Sequence, residues 1–220
     1  MKGIIFDLDG TLLDSMGMWR HAGEIYLRSL GIEAEEGLAY EILKLTIRGA
    51  AEYIKERYSL PCTVQEAVDG INGTMERAYA QTIQPKAGAI ELIAALHSRG
   101  VPMAIATATD RYLVELALKR LKVYPLIRGI VTCTEVGVGK RDGANVYEAA
   151  LRLIGCKKED VWVFEDSPHA ARTASAAGFN VAGVRDTGGG SDQNELKKYC
   201  KVYFTELEPA EAVLCATGID

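Results

Sequence analysis

Long apolar runs are missing from this 220-residue chain. Its opening run Gly3-Ile4-Ile5-Phe6 stops at Asp7, far short of a signal h-region or of the ~20 residues of a membrane span. No membrane partner is expected, and the cytoplasm is the expected compartment. Positive charge is also short: 25 Lys and Arg stand against 30 Asp and Glu, a net charge of −5. That balance argues against the basic footprint of a phosphate-backbone binder, and so against nucleic acid as a partner. The five cysteines, Cys62, Cys133, Cys156, Cys200 and Cys215, are widely spaced with no C-x-x-C and read as reduced thiols in or near the core. His21, His97 and His169 lie far apart with no neighbouring cysteine pair, which leaves zinc without a ligand set. Any metal here should be a hard cation on carboxylates.

What is present is enough to fold. Hydrophobic residues make up 48% and charged residues 25%, which excludes whole-chain disorder and coiled coil. At ~150 residues per domain the length fits one elaborated domain, or a core with a small insert. Short apolar runs suited to strands covered on both faces recur at 3–8, 101–107, 126–133, 161–164 and 180–184, with 201–204 weaker. Helical spacing separates them, as in Leu113, Ala117 and Leu121, or in Leu92, Ile93 and Leu96 closed by Gly100. Alternation of this kind predicts an α/β fold with a doubly wound parallel sheet. One interval breaks the rhythm. From Met16 to Gln84 no buried strand is legible, and Ile42, Leu45, Tyr53 and Ile54 keep amphipathic spacing. Residues 16–84 are therefore expected to form a helical cap domain inserted after strand one, with 1–15 and 85–220 as the catalytic core. Pro85 and Gly88 suit a hinge at the re-entry.

Chemistry gathers at strand ends. Phe6-Asp7-Leu8-Asp9-Gly10-Thr11 places two carboxylates two residues apart at the end of the first strand, where ligands of open α/β sheets collect. Thr107-Ala108-Thr109-Asp110 follows the second strand and leads into a helix, so a hydroxyl and free N–H groups stand where an anion can bind, although Thr109 or Asp110 could simply cap that helix. Glu165-Asp166-Ser167-Pro168 ends a later strand; there too a capping role for Asp166 or Ser167 is the plainer alternative. Lys140 is the only lysine between Lys122 and Lys157 and sits in a glycine-rich loop. That loop has neither G-x-x-x-x-G-K-[ST] nor G-x-G-x-x-G spacing, which removes P-loop and dinucleotide readings.

In order and spacing, D-x-D-G-T, a threonine, a lysine and E-D resemble the haloacid dehalogenase superfamily over essentially the whole chain. The helical insert resembles the subgroup containing phosphoglycolate phosphatase and β-phosphoglucomutase, with a Rossmann-like core. The resemblance implies that Asp7 is the nucleophile and Asp9 the general acid/base. It also implies Mg²⁺ held by the Asp7 side chain, the Asp9 backbone carbonyl and Asp166, with Glu165 reaching it through water. Thr107, the Ala108 N–H and Lys140 would hold the phosphoryl group. The second aspartate points to phosphate-ester chemistry, because dehalogenases lack it. Two departures stand out. Lys140 is followed by Arg141-Asp142-Gly143-Ala144 instead of a proline-containing segment, which makes Arg141 the fallback cation. Trp19 stands where related sugar-phosphate mutases carry a histidine, with His21 two residues later. The expected function is hydrolysis of a small phosphorylated metabolite by a monomer or weak homo-oligomer, with Arg48 as the candidate cap contact to substrate. A β-phosphoglucomutase-like mutase and a non-catalytic interaction protein are the alternatives.

Four carboxylates beside a dianionic phosphate would repel it. A cation such as Mg²⁺, together with Lys140, is what makes such a site attractive.

Overall fold

The structure, a computed structural model, describes residues 2–42, 45–188 and 190–219. Six strands form one parallel sheet: β1 (Gly3–Phe6), β2 (Met103–Thr107), β3 (Gly129–Thr132), β4 (Val161–Glu165), β5 (Asn180–Val184) and β6 (Val202–Phe204). Their order is β3-β2-β1-β4-β5-β6. All six predicted runs are strands, with trimmed ends. Pro102 holds the start of β2 to Met103, and a 3₁₀ turn at Tyr124–Leu126 delays β3 to Gly129. The chain winds outward from β1 to β3, then returns across β1 to begin β4. That reversal creates a crevice at the carboxyl ends of β1 and β4, the place where this topology binds ligands.

Every residue of β1 is buried because side chains alternate between two covered faces. Ile4 and Phe6 join one apolar cluster with Leu92, Leu96 and Val114. Ile5 joins the other with Val146, Tyr147 and Val163. Each fully buried large aliphatic or aromatic side chain contributes roughly 1.5–3 kcal/mol, so the strand is pinned from both sides and its carboxyl end is a rigid platform.

Between β1 and β2 the described elements up to Gln81 are helical: α1 (Met16–Arg20), α2 (Ala22–Ser29), α3 (Leu38–Ile42), α4 (Ile47–Arg57) and α5 (Val64–Gln81). The start of α5 is fixed by a capping box, with Thr63 and Glu66 satisfying each other's backbone N–H groups. Its buried face, including Ala67, Ile71 and Met75, packs toward α2 and α4. Ile42 and Ile54 are buried as their spacing implies, whereas Leu45 is 44% exposed. Entry and return of the segment are stapled together by Asp14 N–H to Gln84 O and Lys86 N–H to Leu12 O, both at 2.9 Å. The predicted re-entry glycine is required by its backbone: Gly88 has φ +79°, and a Cβ there would lie 2.4 Å from the Leu207 carbonyl carbon.

The helix α6 (Ala89–Ser98) precedes β2, and α7 (Arg111–Arg120) follows it. The remaining helices are Cys133–Val136 (α8), Asn145–Ile154 (α9), Pro168–Ala176 (α10), Gln193–Lys197 (α11) and Ala210–Thr217 (α12). All five cysteines are unpaired, and Cys215 is exposed at the surface, not near the core as expected. Among the described residues no helix is long and apolar enough to cross a membrane. Of the Gly188-Gly189-Gly190 run, Gly189 lies outside the described residues.

Candidate active site

Asp7 is the first residue beyond β1, and its N–H still donates to the Phe164 carbonyl at 3.0 Å, so the nucleophile candidate is held on the rim of the sheet. Thr107 ends β2, and Glu165 ends β4 with Asp166 next in chain. Pairing of Phe6 with Ile105 and with Phe164 sets these strand ends level. The result is a cavity of about 490 Å³ lined by Asp7, Asp9, Thr107, Ala108, Lys140, Glu165 and Asp166, with Trp19 and Ile47 contributed by the helical insert. Every residue proposed from the sequence for catalysis, phosphate or metal is thus brought together.

Arg48 is not. It lies in the first turn of α4, where its side chain is 65% exposed and pairs with Glu52 at 3.4 Å; its neighbour Ile47 lines the cavity. An arginine beside an apolar residue on a helix faces about 100° away from it, and here the helix turns the apolar one inward. His21 is also at the surface, 48% exposed and bonded to Glu24 at 2.7 Å.

Lys140 is in place despite the unusual residues that follow it. Its Nζ lies 2.5 Å from Asp7 Oδ1 and 2.5 Å from Glu165 Oε1, over the face of Tyr147 at 5.5 Å. Burial alone would drive the ammonium down, but the Asp7 and Glu165 carboxylates outweigh it and raise its pKa, so it stays charged. Asp7 is pushed up to about 7, chiefly by burial and also by Glu165, against the opposing pull of Lys140. Asp166 is raised well above the carboxylate range by burial and then by the charges of Asp7 and Glu165. Burial raises Asp9 as well, partly offset by hydrogen bonds from Ser15, Thr109 and Tyr79. One lysine among these acids leaves the site short of positive charge.

The donor set fits a hard divalent cation. Oxygen atoms of Asp7, Glu165 and Asp166, all buried, lie within 4.8 Å of one another. Lys140 and the Tyr147 hydroxyl, at 2.6 Å, both bond Glu165 Oε1, while Oε2 is buried without any partner. A buried carboxylate oxygen left without a partner is costly, and an oxygen-loving ion would satisfy it. Gly10 keeps the space open: its φ is +80°, and a Cβ there would sit 2.4 Å from Asp166 Oδ2.

Several functional neighbours escaped the sequence reading. Ser15 and Thr109 each donate a hydroxyl hydrogen bond to Asp9 at 2.5 Å, to Oδ1 and Oδ2 respectively, and Tyr79 from α5 donates to Oδ1 as well. Trp19 Nε1–H donates to the Tyr79 oxygen at 2.9 Å. On the core side, Arg120 Nε–H holds the Tyr79 backbone carbonyl at 3.0 Å. Thr109 is therefore not the cap: Asp110 is the N-cap position of α7, and the Thr109 N–H bonds the Thr107 hydroxyl at 3.1 Å. Ser167 occupies the N-cap of α10, with Pro168 in its first turn.

The profile of the haloacid dehalogenase-like hydrolases matches residues 4–184. Hexitol phosphatase A of Escherichia coli is 29% identical over 184 residues, covering 83% of this chain and 82% of that protein. A phosphorylated carbohydrates phosphatase of Thermotoga maritima is 25% identical over 179 residues, covering 81% and 82%. Among solved structures, a Thermotoga maritima protein provisionally named a β-phosphoglucomutase superposes with a TM-score of 0.85 at 24% identity, over 98% of this chain and 99% of that one. That likeness establishes a shared fold.

Proposed function

The chain belongs to the haloacid dehalogenase-like hydrolases, and on that footing we propose that it removes phosphate from a small phosphorylated metabolite through an aspartyl-phosphate on Asp7. The observation that carries this reading is the meeting of Asp7, Lys140, Thr107 and the Glu165-Asp166 pair in one cavity at the switch point of the sheet. The phosphatases among its relatives support it.

In the first step an Asp7 oxygen bonds to phosphorus and the ester oxygen departs. Asp9 gives that oxygen its proton, so the alcohol leaves neutral. In the second step water attacks the phosphorus of the aspartyl-phosphate, Asp9 takes back a proton, and Asp7 is freed with inorganic phosphate. Lys140, the Thr107 hydroxyl and the Ala108 N–H hold the phosphoryl oxygens in line with Asp7. Mg²⁺, held by Asp7, Asp166 and the Asp9 backbone carbonyl with Glu165 behind them, supplies charge neutralisation at the phosphoryl oxygens. Residues 16–84 act as a cap that excludes water and selects the leaving group. The enzyme works in the cytoplasm as a monomer or weak homo-oligomer.

Incubation with Mg²⁺ and a panel of phosphomonoesters should release inorganic phosphate, and Asp7→Asn or chelation should abolish release. A folded wild-type protein that frees no phosphate from any ester overturns the reading.

A further inference from the structure

Tyr147 touches both halves of the site and takes part in neither chemical step. It lies in the first turn of α9, fully buried in the cluster with Ile5, Val146 and Val163, on a helix that packs against β1, β2 and β3. Its ring stands 6.1 Å from that of Phe179, which fills the same cluster without a hydroxyl. The Tyr147 hydroxyl is thus not there for packing: it donates to Glu165 Oε1 at 2.6 Å. Burial, and then the Glu165 charge, raises its pKa well above the ordinary phenol value, so the hydrogen stays on the oxygen. Lys140 Nζ bonds the same Oε1 at 2.5 Å and Asp7 Oδ1 at 2.5 Å, and it lies over the Tyr147 ring, 5.5 Å from its centre. Glu165 Oε2 is buried with no partner among the described residues.

We propose that Tyr147 is a positioning residue that couples the phosphate side of this site to its metal side: its hydroxyl sets the angle of Glu165, and its ring seats Lys140. The inference rests on the phosphatase reading. Two donors on Oε1 leave Oε2 as the Glu165 oxygen available to the shell of a Mg²⁺ ion. Without the phenol, Lys140 alone would hold that carboxylate, which could turn either oxygen to it. The ring answers a second need. Lysine carries its charge on a flexible four-carbon stem, and here the stem leaves a glycine-rich loop whose turn is closed by the N–H groups of Asp142 and Gly143 on the Gly139 carbonyl, at 3.0 and 3.2 Å. Arg141 and Asp142, next in the loop, are exposed. Such a turn fixes the backbone but not the ammonium; an aromatic face on a helix anchored to three strands does fix it. Tyr147 thereby keeps Lys140 in place without a proline-containing segment after it.

Tyr147→Phe removes the hydroxyl and keeps the ring, so its effects should divide. Mg²⁺ titrated calorimetrically into the phosphate-free protein should bind about tenfold or more weakly than to wild type. Inorganic phosphate titrated at saturating Mg²⁺ should bind within about threefold of wild type, because the ring still seats Lys140. In a Glu165→Ala background the same substitution should change Mg²⁺ affinity by less than about twofold, since the group it positions is gone. Wild-type Mg²⁺ affinity in Tyr147→Phe overturns the inference. So does an equal loss of Mg²⁺ and phosphate affinity, which a general loosening of the core would give, and so does an undiminished loss of Mg²⁺ affinity in the Glu165→Ala background. A folded wild type that binds neither Mg²⁺ nor phosphate sinks the phosphatase reading itself, so the two failures are distinguishable.

Discussion

The phenolic hydroxyl of Tyr79 donates to Asp9 Oδ1 across 70 residues of sequence, joining the last helix before the return to the core to the aspartate two residues from the proposed nucleophile Asp7. Because Trp19 Nε1–H can only donate, the Tyr79 oxygen is its acceptor, and the single phenolic hydrogen is left to face Asp9. The orientation of that hydroxyl is therefore fixed by the helical insert. Arg120 fixes the backbone of the same residue from the core side.

Removing this hydroxyl should matter most where a proton must be delivered. Tyr79→Phe keeps the ring in its buried place but frees Asp9 from one of its three hydroxyl donors. Steady-state rates with alkyl phosphates are expected to fall about tenfold, the equivalent of one lost hydrogen bond. The loss with 2,4-dinitrophenyl phosphate, whose leaving group needs no proton, should be several-fold smaller, on the order of threefold or less. Equal losses on both esters would assign Tyr79 to packing alone.

How far the site was legible follows from the kind of contact each residue makes. Asp7, Thr107 and Asp166 were legible because each directly follows or ends a buried run, and parallel strands deliver such residues to one edge. Lys140 needed its place in the motif order, since a loop lysine carries no periodic signal. Tyr79 and Tyr147 were hidden. Both lie on helices, where the amphipathic pattern that buries them is the same pattern that would bury an ordinary core residue. The structure does not bring Arg48 to the cavity for a related reason: spacing locates a helix end, but tertiary packing places Ile47, one position earlier, in the cavity lining.

Gly10→Ala should separate local strain from general instability. Its φ of +80° and the 2.4 Å approach of a Cβ to Asp166 Oδ2 require either the turn or Asp166 to move. Left-handed backbone at a residue with a Cβ costs roughly 1–2 kcal/mol, a few degrees in Tm. The displaced Asp166 should weaken Mg²⁺ binding far more than that, read by magnesium titration of the thermal shift. A variant that keeps wild-type magnesium affinity would place the ion elsewhere.

Lys140→Met leaves Asp7 and Glu165 without the cation that lies 2.5 Å from each. Breaking a buried pair by removing one partner costs about 3–5 kcal/mol, so the metal-free variant should lose much of its denaturant stability. Added Mg²⁺ should restore part of that stability, because it relieves the same carboxylates, while phosphate release stays abolished. Arg141, although it lines the cavity, stands one residue away and is not expected to rescue activity. Full activity in Lys140→Met would show that Arg141 is the working cation.

The acidic cluster also fixes the sign of the pH dependence. Asp7, Asp9 and Asp166 all have pKa values raised above 3.8 by burial, Asp7 to about 7. In the folded metal-free protein they therefore hold protons that the unfolded chain has released. Stability from this source is complete below about pH 4 and is lost as pH rises through the folded values. Glu66, Glu135 and Glu195 have lowered pKa values and act in the opposite sense, but only at more acid pH. Melting curves without metal should thus show Tm falling between about pH 5 and 8. Asp7→Asn removes one of the titrating groups and should give a shallower slope and a higher Tm at the alkaline end. Saturating Mg²⁺ should flatten the wild-type slope, since the ion favours the ionised carboxylates that the empty fold disfavours. A metal-free Tm that rises across this range would mean that the three carboxyls are stabilised in their charged forms by the protein alone, and would remove the electrostatic case for a cation at this site.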